Sequence, residues 1–133
     1  MAIWNHRFPT AEHAYHWRKF MHLSDTNAQS YILHAPSAHE AFKFAESFKR
    51  GGLLLPTWEA ERVEVMRQIL NAKVTQHEYV KRKLLETGER ELIEDSWRDD
   101  FWGWGPNQDG TNMLGKLWME LRRALNPTGA TDG

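Results

Sequence analysis

The 133-residue sequence has no cysteine. Disulfides, zinc–thiolate sites and a cysteine nucleophile are therefore excluded, and the composition suits a reducing compartment. No apolar run is long enough to cross a bilayer, and nothing at Met1 reads as a signal peptide, so a cytoplasmic protein with no membrane contact is expected. A dominant charge is also missing. Seventeen basic residues against eighteen acidic give a net charge of -1, which excludes a bulk positive field that would draw the chain onto nucleic acid and leaves only local basic patches. Repeats and low-complexity stretches are absent as well. With a mean hydropathy of -0.69 and 41% hydrophobic residues, the composition is that of one globular domain able to bury roughly two-thirds of its unfolded surface. The excess is in tryptophan: seven are present, more than a core of this size needs when Leu and Ile would fill it.

Helix signals dominate. Thr10 precedes AEHAYHWRKFM and predicts a helix to Met21, while Asp25 opens a second that must stop before Pro36. Ser37-Ala38-His39-Glu40 is a capping box, with Ala38, Ala41, Phe42, Ala45 and Phe48 on one face and Gly51-Gly52 as the stop. Thr57 is placed to cap a helix whose inner face is Val63, Met66, Ile69 and Leu70, and Thr75 to Glu78 reads as a second capping box before a helix ending at Gly88. The last helix is expected from Thr111 to Leu125. Only Met1 to Phe8 and Glu91 to Ser96 offer short extended segments. The expected class is mainly α with at most short β segments, a compact domain over residues 1–126, and a flexible tail over 127–133.

Three places resist explanation as packing. The segment SWRDDFWGWGPNQDGTN carries three Trp, three Asp and three Gly between two helices, which suits either a core plug or a pocket wall with flat stacking surface and acidic groups. Glu12 falls in the first turn of its helix, where the macrodipole favours a carboxylate, and shares a face with Tyr15, His16 and Lys19 that is too polar for core and too aromatic for plain surface. Trp58 opens a helix after Pro56-Thr57, an exposed first-turn position awkward for a core Trp, and both core packing and a ligand-facing role stay open for it. Metal binding is not expected: Glu12-His13-Ala14-Tyr15-His16 lacks the four-residue His spacing of a zincin, and the other histidines are scattered. The basic stretches Lys43 to Arg50 and Lys81 to Lys83 read as solvated helix faces.

Four blocks in order, FPTAEHAYHWRKF, TW..ER..VM...L.AK..Q from Thr57 to Gln76, LIE.S..D.FWG.G from Leu92 to Gly105, and N.LG.L.ME.R from Asn112 to Arg122, resemble the NADAR family, also called YbiA-like proteins. The resemblance spans Phe8 to Arg122. It implies a compact helical fold and N-glycosidase activity without a cofactor, cleaving the bond between a base or amine and a ribose. The substrate it implies is a small riboside of the early riboflavin pathway or an ADP-ribosyl group on guanine in nucleic acid. Carried over by motif, Glu12 is the leading catalytic candidate and Asp99 the second. Trp58 and Trp102 are expected to sandwich the base and Lys19 to hold a phosphate. Lys73, Glu94 and Asn112 occupy further recurrent positions, as does Gly115, and the first three are expected to bind substrate. The chain departs from the pattern in beginning almost directly at the first helix, without the strand-bearing segment and Asn-Phe element that usually precede it. The alternatives are a minimal variant, a truncated chain, or a wall supplied by another subunit. It departs again in carrying Trp104 where a small or polar residue is usual. The rival reading is a non-catalytic module that binds ADP-ribose or NAD.

Overall fold

A computed structural model describes residues 1–23 and 27–126. The helix start at Asp25 and the tail over 127–133 lie outside the described residues. The chain forms two units, Met1–Gln76 and one from His77 onward.

The first unit opens on a hairpin in which β1 (Ala2–Ile3) pairs antiparallel with β2 (His6–Arg7). A two-residue connection between right-twisted strands favours positive φ at both positions, and Trp4 and Asn5 adopt 53° and 63°. Asn tolerates that region. Trp4 is held there by its indole Nε1–H, donated to Gln68 Oε1 at 2.9 Å, and by a stack on Trp17. Gln76 ties the hairpin to the far end of the unit, accepting the Ala2 N–H at 2.8 Å and donating its amide to the Ala2 carbonyl.

Helix α1 (Ala11–Arg18) begins as expected at Thr10, whose Oγ1 accepts the His13 N–H at 3.1 Å. It ends earlier than Met21. Beyond Arg18 the N–H groups of Lys19, Phe20 and Met21 bond to carbonyls three residues back, and this tighter winding accompanies complete burial of Phe20. Helix α2 (Ala28–Leu33) stops short of Pro36, and α3 (Ala38–Arg50) starts at Ser37, which accepts the Glu40 N–H at 3.1 Å. Helix α4 spans Trp58–Gln76. Helix α1 packs against α2, α3 and α4, and Ala14, Ala41 and Ala45 are buried in the shared core with Phe20, Ile32 and Ile69. Phe42, expected on the inner face of α3, is 46% exposed; Phe44 and Phe48 turn instead toward Tyr31 of α2. The buried stripe of α4 runs through Trp58, Val65, Ile69, Leu70 and Val74, leaving Val63 and Met66 only half-buried on its flanks. It follows the position of Trp58, which the expected stripe omitted.

In the second unit, α5 (Glu78–Glu86) does not use the expected box at Thr75. The Thr75 hydroxyl donates to the Asn71 carbonyl at 2.8 Å, so α4 runs on through it and His77 becomes the N-cap without a side-chain bond. The chain leaves α5 through Gly88 at φ 63°. Glu91 to Ser96 forms no strand, because an amide side chain rather than a second strand meets its backbone. Asn112 Oδ1 accepts the Glu94 N–H at 2.8 Å and Nδ2 donates to the Leu92 carbonyl at 2.9 Å. Helix α6 (Met113–Leu125) follows, with Gly115 and Leu117 buried. Any Cβ at Gly115 would lie 2.2 Å from the Leu92 carbonyl, so this clamp requires glycine there. The expectation of a mainly helical class with little β structure holds.

Candidate functional site

In the first unit, α1 and its C-cap carry Glu12 and Lys19, and α4 carries Trp58 and Lys73. Glu12 is exposed in the first turn of α1, and among the described residues its carboxylate has no hydrogen bond or ion pair. Lys19 lies at the other end of the same face, half-buried, with Nζ 5.1 Å from the Tyr15 ring centre and 5.9 Å from that of Trp58. Burial lowers its pKa to about 8, Glu46 opposing the shift and Lys49 adding to it. A lysine in this setting remains mostly charged at neutral pH and loses its charge just above. Of the two alternatives for Trp58 the structure takes core packing, not an open stacking surface: it is 4% exposed and belongs to the core cluster, its ring edge-on to Tyr15 at 5.2 Å. Its contact with this face is through Tyr15 and Lys19, and little of the ring is open for stacking. Lys73 sits further along α4, half-buried.

Two histidines of α1 behave differently. His13 is buried and satisfied at both nitrogens: Nδ1 lies 2.7 Å from Thr10 Oγ1, and Nε2 lies 3.0 Å from the Ala35 carbonyl. The carbonyl only accepts, so Nε2 carries the proton. His13 thereby fixes the start of α1 to the turn before α3, and thus the bearing of Glu12. His16 is 8% exposed, packed edge-on against Tyr15 and Phe42. Burial, reinforced by the charge of Lys19 and by His13, pushes its pKa down to about 3, so it is neutral at working pH. The sequence marks its place on the Glu12 face but not its burial.

The second unit holds the other candidates within one hydrogen-bonded loop. Asp99 Oδ1 accepts the N–H groups of Phe101 and Trp102 at 2.9 and 2.8 Å, a turn that sets the Trp102 backbone. Trp102 is half-buried with its ring edge-on to Phe101. The Glu94 carbonyl receives the N–H groups of Ser96 and Trp104, while its side chain is exposed. Asn112 is buried in the clamp described above, and both ends of its amide are engaged. Trp104 donates its indole N–H to Asp95 Oδ1 at 3.0 Å, bracing the loop. Gly103, Gly105 and Gly110 lie where any Cβ would come within 3 Å of loop atoms, so their composition serves tight backbone contact. The loop thus pairs Asp99 with Trp102 and Glu94 with Asn112. Among the described residues no group of three His, Asp or Glu is placed to hold a metal ion, and no helix is long and apolar enough to cross a membrane.

These features define a small helical protein with a carboxylate at a helix start, unpaired among the described residues, and an aromatic-lined lysine on the same face. Residues 2–126 match the NADAR domain, and the chain belongs to that family. It is 36% identical over 118 residues to a riboflavin biosynthesis protein of Vibrio vulnificus, covering 89% of this chain but only 31% of that one. It is also 36% identical to the N-glycosidase YbiA of Shigella boydii, covering 89% of this chain and 71% of the relative. The NMR structure of the E. coli protein YbiA superposes with a TM-score of 0.82 at 32% identity, covering 95% of this chain and 72% of that one. The chain therefore spans less than a third of the Vibrio relative's length and about seven-tenths of the YbiA proteins.

Proposed function

We propose that the chain is an N-glycosidase that hydrolyses the bond between a base or amine and a ribose, with Glu12 as the carboxylate at the anomeric carbon. The observation that carries this reading is an exposed carboxylate without a partner among the described residues, set in the first turn of α1 at the glutamate of the family's PT.EH motif. Departure of a base leaves an oxocarbenium-like sugar, which a negative charge stabilises and an oriented water traps. Glu12 serves both needs. The water oxygen bonds to C1 as the C1–N bond breaks, the bonding electron pair leaves with the nitrogen, Glu12 takes a water proton, and the nitrogen is protonated from solvent. Lys19, charged at neutral pH and lined by aromatic rings, suits a phosphate on the substrate.

By the family motif, Asp99 is assigned to the ribose or the water and Trp102 to the base. Trp58, Lys73, Glu94 and Asn112 are assigned to substrate binding, with Trp58 acting through its contact with Lys19 and Asn112 through the backbone it clamps. The substrate class is a phosphorylated riboside, either an early riboflavin-pathway intermediate or ADP-ribosylated guanine in nucleic acid. The cysteine-free composition fits a cytoplasmic site of action.

Purified protein is to be incubated with both substrate types and released base measured by chromatography. Release from one type identifies the substrate. Ligand binding without release from any would replace this reading with that of an ADP-ribose or NAD-binding module.

A further inference from the structure

Among the described residues, one polar atom of the Glu12 face has no partner: His16 Nδ1 is fully buried and makes no hydrogen bond, although the ring as a whole is 8% exposed. Native proteins rarely leave a buried donor or acceptor unmatched, and an exception calls for a ligand, a water or a mechanistic use. The neighbours on α1 do not supply the match. His13 spends both nitrogens on Thr10 and Ala35, and Tyr15 meets His16 as an aromatic edge. From α3, Phe42 packs edge-on against His16 at 5.9 Å and is itself 46% exposed, so its ring stands outside the buried core. On α1, Glu12 precedes His16 by four residues and Lys19 follows it by three, which puts it between the proposed catalytic carboxylate and the proposed phosphate anchor. Because burial keeps the imidazole neutral, it serves neither as counter-ion to a phosphate nor as a proton carrier near neutral pH.

We propose that His16 is a specificity-determining residue: with Phe42 turned aside, its Nδ1 hydrogen-bonds a ribose hydroxyl of the substrate lying along the Glu12–Lys19 face. This rests on the N-glycosidase reading for the identity of the ligand. A hydroxyl is the group that suits a neutral imidazole best, since it donates to a bare Nδ1 and accepts from a protonated one, whereas a phosphate or carbonyl oxygen only accepts. A site with a buried polar atom reserved for a hydroxyl discriminates against the analogue that lacks it, because the atom then stays unpaired in the complex.

The test uses ribose 5-phosphate and its 2-deoxy and 3-deoxy counterparts as ligands, with intrinsic Trp fluorescence as the binding signal. Wild type is expected to bind ribose 5-phosphate more tightly than one of the deoxy sugars by about tenfold or more. His16→Leu should weaken ribose 5-phosphate to the level of that deoxy sugar and leave the deoxy sugar's own affinity unchanged. His16→Asn, which carries an amide near the place of Nδ1, should restore part of the preference. In wild type, the His16 Nδ1 nitrogen resonance should shift with ribose 5-phosphate and not with the disfavoured deoxy sugar, a reading that needs no variant to fold. Equal weakening of all three ligands by His16→Leu, an absence of preference in wild type, or an unmoved Nδ1 resonance would overturn the proposal. Base release is scored separately: sugar preference without release would sink the hydrolase reading and leave the His16 assignment standing.

Discussion

Glu12 and Lys19 carry opposite charges on one face of α1, and their tests separate chemistry from binding. Glu12→Gln keeps the shape and removes the charge facing the developing oxocarbenium ion, so turnover should fall by about 10²-fold or more while ligand affinity changes little. A first-turn acid also supports its helix by up to ~1 kcal/mol, so the melting temperature of the variant must be checked beside its rate. A folded Glu12→Gln protein with wild-type turnover would move suspicion to Asp99. For Lys19 the prediction is a pH dependence. Its ammonium is lost as pH rises through about 8, so KM for a phosphorylated riboside should climb above that pH while KM in Lys19→Met, already high, stays flat. The same burial has a stability consequence of definite sign. Between about 8 and 10.5 the unfolded chain holds the proton that the folded chain has released, so wild type should gain stability relative to Lys19→Met across that window. Urea midpoints of the two proteins at pH 7.5 and pH 10.5, compared as differences, would check it.

At the scale of elements, two helix starts rest on a hydroxyl, and they should differ in cost when it is removed. Ser37→Ala deletes one cap bond, to the Glu40 N–H, and should destabilise by about 1 kcal/mol. Thr10→Val deletes the cap of α1 and also strips buried His13 of the partner at Nδ1, so its loss should exceed that of Ser37→Ala, at about 2–3 kcal/mol. Equal midpoints in urea would show that the Thr10–His13 contact adds nothing to the cap. These two starts are legible in the sequence because a hydroxyl residue ahead of an apolar rhythm has a local role. The box at Thr75 has the same spelling and fails, since its hydroxyl finds the Asn71 carbonyl one turn back while the helix continues. Whether Trp58 is covered is decided by α1, which lies far from it in sequence, so no local pattern signals its burial. The clamp from Asn112 to Leu92 and Glu94 is likewise invisible to periodicity, although the family motif marks Asn112. The loop around Asp99 is legible as unusual by composition alone, but its glycines report close backbone contacts and its Trp104 a bond to Asp95, neither of which residue counts distinguish from a pocket wall.

At the scale of the whole molecule, His16 couples folding to acid. Seven histidines and a formal charge of -1 would suggest that mild acid adds positive charge throughout, yet this imidazole stays neutral in the folded chain down to about pH 3. In the unfolded chain it takes up a proton near its ordinary value of 6.5. Between those two pH values the unfolded state therefore binds the extra proton, and the stability that His16 contributes, complete above 6.5, drains away as pH falls toward 3. The pH slope of wild type sums over the whole chain and alone does not isolate the effect. The difference between wild type and His16→Leu does. That variant removes the titrating group while keeping an apolar side chain against Tyr15 and Phe42, and its advantage over wild type should widen steadily from pH 6.5 to pH 4. Urea midpoints at half-unit steps of pH would trace it. A difference that stays constant across the interval would mean that His16 protonates equally well folded and unfolded, and that its neutrality in the site, on which the hydroxyl-binding role depends, does not hold.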